Sequence, residues 1–126
     1  MASVNEAFTL SWEGSIAILT LLPPVDRLSE TSLSVLAQRV LGPLEQNPPT
    51  GLILDLSRMD YINSTLLSFL LRCHKRVKDH RGEVVVTGAS ERVRELLILT
   101  SLDMVWPLYE TRQKALAALR ANQHPA

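Results

Sequence analysis

The chain is poor in the residues from which most metal, redox and phosphate-binding chemistry is built. It has one cysteine, Cys73, in 126 residues, which excludes an intramolecular disulfide. No histidine or cysteine pair stands at a zinc-ligand spacing. All five glycines are isolated, so there is no Walker A loop, no dinucleotide-binding glycine fingerprint and no G-x-S-x-G nucleophile elbow. Charge of one sign is missing too. Thirteen basic and thirteen acidic residues cancel, so no whole-molecule field favours nucleic acid or an anionic membrane, and aromatics for base stacking are only 5% of the chain. No apolar run approaches the roughly 18 residues of a membrane helix. The segment Met1–Glu6 has no basic stretch followed by an apolar one, so no secretory leader is expected there. These absences point to a soluble, cytoplasmic protein with no metal, no cofactor, no nucleic-acid partner and no membrane partner.

What is present suffices for a packed core. Residues 1–126 read as one domain, with a core over about 7–120 and flexible termini. The hydrophobic fraction is 46%, ordinary for a globular chain. Ala7–Trp12 alternates as a strand, Glu13-Gly14 turns, and Ser15–Leu22 returns antiparallel. Pro23-Pro24 ends that strand, and Val25–Leu28 reads as loop. Ser29 or Thr31 caps a helix with a stripe of Leu33, Leu36, Val40 and Leu44, and Gly42-Pro43 predicts a break or kink. Leu52–Leu56 is a strand. After the polar turn Ser57–Asp60, a helix follows on Leu67, Leu70, Leu71, His74 and Val77, ending at Asp79–Gly82. Glu83–Thr87 is a β-branched strand. Residues 91–100 form a short helix carrying Val93, Leu96, Leu97 and Leu99. Met104–Tyr109 reads as a last edge strand with Trp106 half-buried, and Thr111 caps a final helix with Leu116 and Leu119 inward. The tail Asn122–Ala126 is expected to be disordered. The order β-β-α-β-α-β-α-β-α argues a single α/β domain with a mixed, mostly parallel sheet joined by right-handed helical crossovers.

The chain's chemistry concentrates at one point. Asn63, Ser64 and Thr65 all start helices, because their side-chain oxygens accept bonds from unpaired N–H groups. They stand beside the carboxyl end of a strand, where function collects in open α/β sheets. Leu66 and Phe69 lie to one side of the apolar stripe. Either the stripe is wide and both are core, or they form an exposed apolar patch for a partner. Asp26, Asp55 and Asp60 are either an acidic rim around Ser64 or three ordinary aspartates. Arg72, Lys75, Arg76, Lys78 and Arg81 complement the dipole at the helix C-terminus. Cys73 and His74 are adjacent and point apart, so they form no dyad.

The stretch LDLSRMDYINSTLLSFLLRCHKRV resembles the central segment of STAS domains, the fold of the bacterial anti-sigma factor antagonists. Thr87–Arg94 and Leu99–Asp103 are similar to later segments of the same family. On this resemblance Ser64 matches the serine that a partner kinase phosphorylates, with Thr65 as runner-up. Asn63 stands where the family usually has aspartate, Leu66 where it has glycine, and Pro23-Pro24 where a glycine-containing approach is usual. The resemblance implies a non-enzymatic interaction module that binds an anti-sigma factor with serine-kinase activity through Asp26, Asp60, Asn63, Ser64, Thr65, Leu66 and Phe69. The kinase would supply ATP and Mg²⁺. The alternative is a constitutive STAS adaptor with no phosphorylation cycle, in a signalling or lipid-transport assembly. A third reading, an enzyme using Asp and Ser groups, lacks a catalytic constellation.

Overall fold

The computed structural model describes residues 3–122. Its elements are β1 (Phe8–Glu13), β2 (Ile16–Leu21), α1 (Glu30–Gln46), β3 (Gly51–Asp55), α2 (Ser64–Asp79), β4 (Glu83–Thr87), α3 (Glu91–Leu99), β5 (Leu108–Tyr109) and α4 (Arg112–Asn122). The strands lie side by side in sequence order. β1 and β2 form an antiparallel hairpin, and every later pairing is parallel. Gly14, at φ +61°, takes the first place of the two-residue turn between them, where tight hairpin turns need a left-handed residue.

Each crossover advances one strand in the same direction, and such crossovers are right-handed, so α1, α2 and α3 fall on one face of the sheet. That face holds the main core, with Leu19, Leu52, Leu54 and Val86 packed under Leu36, Val40, Leu70 and Val93. The opposite face presents Ile16, Ile18, Ile53 and Val85 to Ala115, Leu116 and Leu119 of α4. Strands covered on both faces carry continuous apolar runs, as β2 and β3 do. Edge strand β1 alternates instead, with Phe8, Leu10 and Trp12 half-buried.

The helix phases correct the sequence reading in several places. In α2 the buried residues are Leu66, Phe69, Leu70, Cys73 and Val77. Leu67 and His74 are half-buried, and Leu71 is 39% exposed. Two stripes one residue apart share Leu70 and Val77, and periodicity alone does not choose between them. The chosen phase buries Phe69 and leaves His74 partly outside. Helix α1 runs through Gly42-Pro43 unbroken. Pro43 lies in the last turn, where Val40, Leu41 and Leu44 are anchored in the core and one missing N–H bond is tolerable. Of the apolar residues that α3 carries, Val93 and Leu97 are buried and Leu99 is 78% exposed.

The expected strand Met104–Tyr109 shrinks to Leu108–Tyr109, preceded by a 3₁₀ turn at Leu102–Met104. Trp106 is fully buried, because its indole N–H finds a partner at 3.0 Å in His74 Nδ1. Pro23–Arg27 is a 3₁₀ turn rather than loop. The N-terminus is not loose where described. Val4–Glu6 forms a 3₁₀ turn capped by Ser3, and Arg39 donates to Asn5 Oδ1. Asn122 ends α4, and the rest of the expected tail lies outside the described residues.

Candidate functional site

Asn63 is the N-cap of α2. Its Oδ1 accepts the Leu66 N–H at 2.8 Å, and its backbone carbonyl accepts the Leu67 N–H. Ser64 and Thr65 therefore occupy the first two helical positions, both exposed. Of the four N–H groups a helix start leaves open, the Asn63 side chain takes that of Leu66, and those of Ser64 and Thr65 have no protein partner among the described residues. A hydroxyl here can carry a phosphate that meets free donors and the positive end of the helix dipole. Gly88 lets the loop after β4 close over the loop after β3. At φ +68°, a Cβ on it would stand 2.6 Å from Ser57 Cβ.

Beside the mouth runs a groove of about 130 Å³ whose lining includes Asp26, Leu28, Glu30, Asn63, Thr65 and Leu66. A second groove of about 330 Å³ continues between α1 and α2, past Glu30, Ser34, Thr65, Ser68, Phe69 and Arg72. Thr65 faces both, and Ser64 borders neither. Burial at the groove pushes the Asp26 carboxyl up from its ordinary value. Arg27 pulls against this, and the charge on Asp60 adds to the rise. The structure thus brings Asp26, Asp60, Asn63 and Thr65 together near Ser64.

Three expected site residues stand elsewhere in role. Leu66 and Phe69 are 2% and 3% exposed, so they form the groove's floor and the core beneath it, not an exposed patch. Asp55 leaves the acidic rim altogether. It shares a register row with Thr20 and Thr87, and its Oδ2 accepts from Arg112 at 3.0 Å. Burial acts to raise the Asp55 carboxyl, but hydrogen bonds from Ser57 and the Arg112 guanidinium outweigh it and hold the group low.

Sequence reasoning missed the α1 side of the groove, Glu30 and Ser34, together with Ser68. One signal was available: Thr65, Ser68 and Arg72 stand three and four residues apart, on one helix face. Cys73 is fully buried, and burial pushes its thiol up to about 12, which makes it inert at neutral pH. The basic end of α2 is largely consumed by carboxylates, with Arg76 on Glu45 at 3.0 Å and Lys75 on Asp79 at 3.2 Å.

A sheet in this order, with three helices on one face and an exposed hydroxyl at the mouth of the central one, defines an α/β interaction domain of the STAS class. The chain belongs to the STAS domain family, whose sequence profile matches residues 13–115. It is 32% identical over 68 residues to BtrV of Bordetella bronchiseptica, a candidate anti-sigma factor antagonist. That match covers 54% of this chain and 59% of BtrV's length. It is 24% identical over 118 residues to RsfB of Mycobacterium tuberculosis, an anti-sigma-F factor antagonist, covering 91% of this chain and 90% of RsfB. A solved STAS domain protein from Planctomyces limnophilus superposes with a TM-score of 0.77 at 27% identity, over 90% of this chain and 97% of that one. The chain is thus an anti-sigma factor antagonist-like STAS protein, of a non-enzymatic family.

Proposed function

We propose that this chain binds an anti-sigma factor with serine-kinase activity through the mouth of α2 and the adjoining groove, and that phosphorylation of Ser64 releases it. The observation that carries this reading is the position of Ser64, exposed at the first turn of α2 with free N–H donors beside it. The anti-sigma factor antagonists among its relatives support the partner class. A phosphate adds roughly −1.5 to −2 charges at neutral pH. The helix mouth accommodates that charge within the domain, while a docked partner must desolvate it beside Asp26 and Asp60. A loss of about 3 kcal/mol there weakens binding on the order of 100-fold. Thr65, in both grooves, is the second acceptor.

The test is incubation with labelled ATP and the serine-kinase anti-sigma factors encoded in the same genome, followed by binding measurements. Label is expected on the wild type and not on Ser64→Ala. Ser64→Glu should bind the same partner more weakly with its fold intact. Label persisting on Ser64→Ala moves the acceptor to Thr65. No label from any such kinase leaves a constitutive adaptor.

A further inference from the structure

A second surface lies away from the mouth of α2. Ile98, Leu99, Met104 and Val105 are 58%, 78%, 83% and 48% exposed. They fall within eight residues of chain, at the far end of α3 and in the turn after it. Ser101, in the left-handed region at φ +61°, folds the chain back there, and its N–H bonds to the Ile98 carbonyl. The fold therefore places Met104 and Val105 next to the end of α3. Trp106 and its bond to His74 fasten this segment from beneath, while its outer side chains stay in water. Together the four expose the equivalent of between two and three whole side chains, on the order of 400 Å², the size at which a monomer's largest apolar patch is often functional.

We infer that this patch is a weak two-fold contact between two copies of this chain. Three features select a second copy. First, net charge is zero, so no long-range repulsion keeps copies apart. Second, a two-fold contact requires a patch to complement itself, and the charges beside it do. Arg94 and Glu95 stand one turn up the same face of α3 as Ile98, both exposed and neither ion-paired among the described residues. Across a two-fold axis, Arg94 of one copy meets Glu95 of the other. Third, a patch of this size is about half of the roughly 800 Å² per partner of a standard stable interface, which fits a transient pair and not an obligate dimer. The patch lies at the opposite end of α3 from Arg92, which stacks on Tyr61 beside the mouth of α2. Pairing therefore leaves the Ser64 surface free and is independent of its phosphorylation.

Sedimentation equilibrium of the full chain from about 10 μM to 1 mM tests this. The mass should rise with concentration toward twice the chain's, and equally so for Ser64→Glu. Leu99→Lys and Met104→Lys, at side chains already in water, should keep the wild-type melt and remain at monomer mass. Glu95→Arg should weaken pairing about tenfold, and the swap Arg94→Glu with Glu95→Arg should restore it. A wild type that stays at monomer mass throughout overturns the inference. So does pairing that both lysine variants retain, because the contact then lies elsewhere.

Discussion

Acidification should loosen the joint between α2 and the segment that follows α3. Trp106 is wholly buried, and its indole N–H donates to His74 Nδ1 at 3.0 Å, with the rings edge to face at 6.0 Å. Only the neutral imidazole protonated on Nε2 can accept that bond. Protonation puts a second donor on Nδ1 and leaves the indole N–H without a partner, a cost of about 1–3 kcal/mol for a buried donor. Burial, and then the charge of Lys78 one turn along, already hold His74 below its ordinary value of 6.5. The folded state therefore binds fewer protons than the unfolded chain between the lowered value and 6.5. Stability is full above that window, falls as pH drops through it, and levels below it. His74 is only half-buried, which trims the effect toward the low end. The assay is thermal melting of wild type and His74→Gln from pH 7.5 to 5, followed by tryptophan fluorescence. Glutamine can offer an acceptor that does not titrate. The wild type should lose several degrees more than the variant, at about 4 °C per kcal/mol for a domain of this size. Carboxylates that titrate near pH 5 are common to both, so the difference isolates His74. Parallel curves would refute the coupling.

On α2, Leu66→Ala should cost about 2–5 kcal/mol and Leu71→Ala under about 1 kcal/mol, by urea unfolding; the reverse order would put the helix out of phase. Arg112→Ala should destabilise by about 1–2 kcal/mol, since it strands a buried carboxylate but removes an arginine that is itself half in water. Asp55 is depressed in the fold, so its contribution is present above the ordinary value of 3.8 and lost as pH falls through the lower folded value. Without Arg112, acid unfolding should begin at higher pH, and an unshifted acid limb counts against the pair. Ser64→Glu should melt within about 1 kcal/mol of wild type, because an acidic group in the first turn meets the favourable end of the dipole. A loss beyond about 2 kcal/mol would show that this position is not free.

The order of elements was legible because each class of signal was strong. Glu83–Thr87 is a β-branched run with glycines on either side, and its boundaries in the fold are those expected. Ser29 and Thr111 act as the caps they resemble. What stayed hidden was set by tertiary contact. The phase of α2 depends on which of two overlapping leucine stripes meets the sheet, and α2 is apolar enough for both. Trp106 looked like an edge-strand aromatic until its one polar atom found His74. Asp55 looked like part of the rim, yet period-two alternation puts it on the same face as Ile53, under α4. Its partner is 57 residues away. The resemblance marked Ser64, but the groove beside it needed α1, whose Glu30 and Ser34 carried no signal of their own.

The two departures from the family's motif meet in a single hydrogen bond. Leu66 stands where the family has glycine and Asn63 where it has aspartate, and here the Asn63 side chain holds the Leu66 N–H. A side chain at position 66 is accommodated because it points down into the core, at 2% exposure, where only its edge reaches the floor of the groove beside the mouth. The cap loses a charge by being an amide. A carboxylate there would face a phosphate on Ser64 across roughly 4–6 Å, a repulsion of about 1–2 kcal/mol in water. With asparagine that internal repulsion is absent. The phosphorylated form then meets Asp26 and Asp60 around the groove, and whatever must desolvate the phosphate. On the proposed function, the departure makes the domain easier to phosphorylate than an aspartate-capped one, and leaves the partner to supply nearly all of the discrimination between the two states.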